Sequence, residues 1–234
     1  MTGFIIGLLR WCNQQDHWFR LGLFTLSAIP GLLLLQDFIT NDLGFNPFDA
    51  LIARTGFWAM FYLLLTLAIT PLRRWLGFVC KQLQLKYGKR LADWNFLIKS
   101  RRMLGLFSFF YLCWHAGIYL HLELGWDPQW GWQDIMERPF LQVGICAWIL
   151  SLLLALTSPQ WARRRLGRRW RQLHRAMYPL AVLAVIHVLM EAKVGEQEGL
   201  VYGVLASLLL LHRLLVSTIN RWYRADDDGL EAKR

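Results

Sequence analysis

The sequence predicts an all-α fold, a polytopic membrane bundle of six transmembrane helices with both termini cytoplasmic. Three observations carry this prediction. Of the 234 residues, 56% are hydrophobic and only 18% are charged, whereas a soluble domain holds about 45–50% apolar and about 25% charged residues. Apolar stretches of the length a bilayer demands, about 17–25 residues, recur along the chain. The formal charge is nevertheless +10, and it is gathered into alternate loops. Together these exclude a disordered chain, a collagen, a disulfide scaffold and most soluble enzymes.

The expected spans cover 21–38, 51–70, 103–122, 140–157, 174–191 and 200–216. They are continuously apolar rather than alternating, so they read as helices rather than barrel strands. The first begins past residue 20 and has no small-x-small site behind it, so it is expected to stay as a span rather than be cleaved as a signal peptide. Residues 1–20 then form a cytoplasmic N-terminal segment, 21–216 the transmembrane domain, and 217–234 a cytoplasmic polar tail whose end is expected to fray.

The loops set the orientation. Counting the N-terminal segment, the loop from Arg73 to Arg102, the stretch from Arg163 to Arg175 and the C-terminal part, 23 of the 26 Lys and Arg fall on one side. The other side keeps Arg54, Arg138 and Lys193, and carries the carboxylates Asp37, Asp42, Asp49, Glu123, Asp127, Asp134, Glu137, Glu191, Glu196 and Glu198. The positive-inside rule places the basic side in the cytoplasm. The same cations suit anionic lipid, and no nucleic-acid partner is expected. Trp11, Trp18, Trp75, Trp94, Trp161, Trp170 and Trp222 fall toward the inside and Trp126, Trp130 and Trp132 in an outer loop, as interfacial belts do.

The four cysteines form no CxxC pair and read as small apolar residues or reduced thiols. The histidines are more informative, because ionisable groups inside a span are costly and mark function by default. His115 lies thirteen residues past Arg102, about 20 Å into span three. His187 lies deep in span five, and His174 stands near its cytoplasmic start. Two neutral imidazoles from facing helices can ligate one iron from opposite sides, an arrangement that suits electron transfer. Depth pairs His115 with His187. A histidine merely hydrogen-bonded to a carbonyl is the other reading, and it is preferred for His17, His121 and His212. An ideal helix points His174 and His187 about 140° apart, unless Pro179 kinks it. Arg54, just inside the outer end of span two, either snorkels or pairs with an acidic group such as a haem propionate.

Several segments together resemble a known family. They are Arg101-Arg102-Met103-Leu104-Gly105-Leu106 with Trp114-His115 and Tyr119, and Gly167, Arg169-Trp170, Leu173-His174 and Tyr178 with Ile186-His187. Arg54-Thr55-Gly56 opening span two, Thr70-Pro71-Leu72 closing it and Arg138-Pro139-Phe140 opening span four complete the set. The match, over about residues 45–215, is to the MsrQ (YedZ) family of the ferric-reductase-like transmembrane superfamily. The resemblance implies a multi-pass subunit of the bacterial inner membrane carrying haem b, one or two copies, with FMN also attributed to the family. It implies electrons drawn from the quinone pool and passed to MsrP, a periplasmic molybdopterin enzyme that reduces methionine sulfoxide in oxidised envelope proteins. Such a chain is the electron-transfer subunit of an oxidoreductase complex, with His115, His187 and His174 as metal ligands and Arg54 at the cofactor. The superfamily often has two histidines on span three, but fourteen residues before His115 stands Arg101. A ferric or flavin-linked reductase with another periplasmic acceptor is the alternative. The sequence contains no GxGxxG fingerprint, so direct NADPH oxidation is not expected. A transporter has less support, since the spans hold acidic residues only at their ends.

Overall fold

The computed structural model describes residues 7, 11–12, 14–192 and 197–231. Arg10, Lys193, Glu196, Lys233 and Arg234 lie outside the described residues, as do the side chains of Glu198, Arg221, Trp222 and Arg224. The described residues form helices α1 (Asp16–Ile39), α2 (Pro47–Gln82), α3 (Asn95–Ile118), α4 (Pro128–Glu137), α5 (Pro139–Leu156), α6 (Gln160–Leu166), α7 (Arg168–Leu173), α8 (Met177–Glu191) and α9 (Glu198–Glu231). Short 3₁₀ turns at Leu91–Trp94 and His174–Ala176 precede α3 and α8, and a π turn at Tyr119–Glu123 follows α3. Six segments are long and apolar enough to cross a membrane: His17–Ile39, Pro47–Gln82, Leu91–Glu123, Pro139–Leu156, Arg168–Glu191 and Gly199–Val216. The six-span all-α expectation therefore holds.

Helix α2 is the central post. On one side Met60, Leu63, Leu64 and Leu67 pack with Ala147 of α5, Leu180 and Ala181 of α8 and Ala206 of α9. The three alanines let neighbouring backbones approach, as membrane bundles require in the absence of a hydrophobic drive between helices. On the other side Ala59, Tyr62 and Ile69 pack with Leu104, Phe107 and Tyr111 of α3. Ser108 donates to the Ala59 carbonyl at 2.8 Å across that seam. The outer faces of α1, α5 and α9 expose Leu, Ile and Phe, as lipid-facing surfaces do.

Two ends are distinguished by their contacts. At the acidic end, Arg54 of α2 pairs with Asp37 of α1 at 2.6 Å, and buried Asp134 of α4 receives the Tyr119 hydroxyl and pairs with Arg138 at 2.8 Å. At the arginine-rich end, Arg73 donates to the Leu91 carbonyl at 2.8 Å and to Asn95 at 3.0 Å. Gly167, with φ of +51°, breaks the chain between α6 and α7, a conformation that favours glycine.

The helix limits bear on three readings of the sequence, the first of which needs correction. Span two was expected to close at Thr70-Pro71, yet α2 runs on to Gln82. Pro71 has no N–H for the carbonyl four residues back, which is that of Leu67. Arg213 of α9 supplies the missing donor to the Leu67 oxygen at 2.8 Å, so the helix passes the proline. Pro179 was named as a residue able to kink the helix between His174 and His187. It instead occupies the first turn of α8, where proline is tolerated, and the irregularity falls at His174–Ala176. The end of the polar tail, from residue 224 on, was expected to fray; α9 is described through it as far as Glu231.

Helix α1 is held by an inserted side chain. Gly31 N–H donates to the Tyr111 hydroxyl at 2.9 Å, and that hydroxyl donates to the Ser27 carbonyl at 2.8 Å. The phenol thus replaces the ordinary Gly31-to-Ser27 bond, next to Pro30. Side chains entering the helical ladder bend helices, and Gly31 permits the approach, since a Cβ there would meet the hydroxyl at 3.3 Å. Tyr111→Phe is expected to lower stability by about 1–2 kcal/mol, read as an earlier midpoint in denaturant titration of the detergent-solubilised protein. An unchanged midpoint would mean that α1 closes its own ladder without loss.

Candidate functional site

The architecture brings His115 and His187 together. His115 sits late in α3 and His187 late in α8, while α2 and α5 start beside them at the same acidic end. The two imidazole rings stand 6.3 Å apart between centroids, with planes at 88°. His115 Nδ1 lies 3.1 Å from the Ile52 carbonyl of α2, and His187 Nδ1 lies 2.8 Å from the Phe140 carbonyl of α5. A carbonyl only accepts, so each Nδ1 carries the hydrogen, and each Nε2 keeps its lone pair. The Thr55 hydroxyl approaches His115 Nδ1 at 3.4 Å while donating to the Leu51 carbonyl at 2.6 Å. Each ring therefore has its tautomer fixed by the backbone of a neighbouring helix, as metal-bound histidines commonly do.

Two glycines make room for these rings. A Cβ on Gly56 of α2 would lie 3.3 Å from Cε1 and Nδ1 of His115. A Cβ on Gly144 of α5 would lie 2.9 Å from the same atoms of His187. Neither position permits a larger side chain without moving a histidine.

The other expected site residues lie elsewhere. His174 is at the arginine-rich end, where the Thr157 hydroxyl at the end of α5 meets its Nε2 at 3.2 Å. Trp170 stacks on its ring at 4.0 Å between centroids and donates to the Thr157 carbonyl at 2.9 Å. Arg163 lies over the other partner of that stack, 4.8 Å from the Trp170 ring centre. Arg54 is half-exposed and engaged with Asp37. Thr157, Gly144 and the backbone carbonyls of Ile52 and Phe140 were not singled out from sequence. A glycine within an apolar helix signals nothing until the ring opposite it is known.

The arrangement has a definite chemical capacity. Among the described residues no three His, Cys, Asp or Glu side chains cluster as a protein-only metal site would need. Two imidazoles suit a metal whose remaining ligands come from a macrocycle. A first-row metal sits about 2.0 Å from an imidazole nitrogen and the ring centre roughly 1.2 Å further back, so rings on opposite sides of one metal stand about 6–6.5 Å apart. The observed 6.3 Å fits that spacing.

Comparison with known proteins agrees with this architecture. Residues 55–185 match the family described as "Ferric reductase like transmembrane component". The chain is 36% identical over 212 residues to the "Protein-methionine-sulfoxide reductase heme-binding subunit MsrQ" of Rhodospirillum rubrum, covering 89% of this chain and 93% of that protein. The MsrQ of Azospira oryzae is 38% identical over 198 residues, covering 84% of this chain and 78% of its own. That of Xanthomonas oryzae pv. oryzae is 40% identical over 171 residues, covering 73% and 71%. With a membrane bundle of six spans, the family's transmembrane component across its middle and this degree of identity over most of its length, the chain belongs to the MsrQ family.

Proposed function

We propose that this chain is the haem b electron-transfer subunit of a methionine sulfoxide reductase system, with His115 and His187 as the axial ligands of one haem. The observation that carries this reading is the facing pair of imidazoles, each with Nδ1 tied to a backbone carbonyl. Bound there, haem would supply a reversible one-electron carrier within the membrane. The protein's own part is to fix both ring orientations through Ile52 and Phe140, to clear space with Gly56 and Gly144, and to keep water away with the surrounding apolar side chains. Two axial nitrogens leave no open coordination position, which favours electron transfer over oxygen binding.

The quinone pool is the proposed donor and a periplasmic MsrP-like molybdopterin reductase the proposed acceptor, with FMN as an additional cofactor. The family supports these assignments. The charge asymmetry supports an inner-membrane protein with both termini cytoplasmic, and so a haem nearer the periplasmic face. His174 is the proposed ligand of a second haem at the arginine-rich end. The Trp170 stack holds its ring plane there, and Nε2, which the Thr157 hydroxyl meets, is the atom that would hold the metal.

Purification followed by haem quantification and optical redox titration tests this reading. The expected result is one low-spin haem that depends on His115 and His187, and a second haem, for a total of about two per chain, that is lost in His174→Ala. One haem in the wild-type protein would remove His174 from the ligand set, and none would overturn the whole assignment. Oxidation of the reduced protein by a purified periplasmic reductase, and its reduction by a quinol, test the two partners. Arg54→Ala is expected to leave haem content and potential unchanged, because its guanidinium already serves Asp37; a fall in either would assign it to a propionate.

A further inference from the structure

Arg213 of α9 enters the arginine-rich end of the bundle with no carboxylate partner among the described residues, and Arg101 of α3 stands within electrostatic range of it. Arg213 of α9 donates to the Leu67 carbonyl at 2.8 Å and to the Tyr178 hydroxyl at 3.1 Å, and its guanidinium carbon lies 5.4 Å from the Tyr178 ring centre. Its Nε is buried and has no acceptor. Arg101, half-buried in α3, lies within electrostatic range of both Arg213 and Tyr178. Neither arginine forms an ion pair among the described residues. All partners of this pair are neutral, so two positive charges share a region of low dielectric at the arginine-rich end of the spans. Such charges are normally paired or held against an anion.

Topology alone does not account for the pair. Loop cations that orient a membrane protein reach water, whereas Arg213 turns inward to a backbone carbonyl of the central helix. Tyr178, bonded to Arg213, is 37% exposed, so the phenol end of this cluster opens to the outside of the bundle. Guanidinium groups with a phenol beside them match the oxygens of a phosphate. Basic pockets between transmembrane helices on the cytoplasmic side commonly take anionic headgroups.

We propose that Arg101, Arg213 and Tyr178 form a site for one phosphate group, carried either by an anionic phospholipid or by the flavin mononucleotide. The site is independent of the haem ligands, and its test does not rely on electron-transfer activity. Purified protein is delipidated, then titrated in two arms. One compares phosphatidylglycerol with phosphatidylcholine by native mass spectrometry, and the other compares FMN with riboflavin by flavin fluorescence. The variants are Arg101→Gln and the double variant Pro71→Ala with Arg213→Gln. The alanine restores the N–H that the Leu67 carbonyl needs, so the double variant removes the guanidinium without leaving that oxygen bare.

The expected result is preference for the more anionic member of one pair, phosphatidylglycerol over zwitterionic phosphatidylcholine or FMN over riboflavin, weakened about tenfold or more in both variants, as loss of a charge-assisted contact predicts, with the haem spectrum unchanged. Preference for phosphatidylglycerol identifies a lipid site, and preference for FMN over riboflavin identifies a flavin site. No preference in either arm, or equal affinity in wild type and variants, would overturn the proposal. Loss of haem in Arg101→Gln would overturn it too, since the guanidinium would then serve the haem carboxylates.

Discussion

Replacing either His115 or His187 by alanine is expected to remove the low-spin haem at the acidic end and leave the helical bundle in place. Each imidazole supplies one of two protein ligands, and the pair faces across 6.3 Å. Loss of a supporting contact to a metal ligand commonly costs about 10–100-fold in affinity, and loss of the ligand itself should exceed that. The two variants should behave alike, because neither histidine has a neighbour among the described residues that could substitute for it. Haem quantification and the optical spectrum of purified variants check this, with His174→Ala as the comparison that spares this end. Full low-spin haem in both variants would sink the pairing.

The second large effect is expected at Gly144. An added methyl would lie 2.9 Å from two atoms of His187, well inside the 3.5–4.0 Å of an ordinary carbon contact. The ring must turn or shift, and either movement breaks the 2.8 Å bond from Nδ1 to the Phe140 carbonyl. Gly144→Ala is therefore expected to weaken haem binding at this site by about 10–100-fold, the range seen when a ligand loses its orienting partner. Gly56→Ala, with its methyl 3.3 Å from His115, should do less. Alanine favours a helix by about 1 kcal/mol over glycine, so the haem-free variant should unfold no more easily than the haem-free wild type. Titration of haem-free protein with haem separates the two effects. Wild-type affinity in Gly144→Ala would mean that the ring yields freely and that the glycine serves only helix approach.

Much of the fold was legible in the sequence, because a bilayer allows few solutions. Six apolar stretches gave six spans, and residue counts from Arg102 and Arg169 put His115 and His187 at similar depth. Their approach follows from depth and from α3 and α8 running the same way. What the sequence hid depends on partners distant along the chain. Tyr111 looked like one aromatic among many, yet its hydroxyl enters the ladder of a helix 84 residues away. Arg213 counted as a topology signal, yet it reaches a backbone carbonyl. Pro71 looked like a helix stop, yet α2 passes it and the carbonyl it leaves free receives Arg213. Arg54 had two readings, and the structure gives it Asp37 as partner. Gly56 and Gly144 are invisible to periodicity, since nothing local distinguishes a glycine facing an imidazole from one facing lipid.

The bond from Arg213 to the Leu67 carbonyl spans 146 residues, and so has a consequence for biogenesis. Helix α2 enters the membrane early in synthesis with one carbonyl that its own proline cannot satisfy. The donor arrives only with α9. Until then α2 carries an unmet polar group in hydrocarbon, a defect costing several kcal/mol. Docking of α9 removes it and at the same time closes the core around Met60, Leu64 and Leu67. Docking of α9 is thereby written into the energy of α2, so a nascent chain that has not yet reached α9 differs physically from one that has, at a point deep in the bundle.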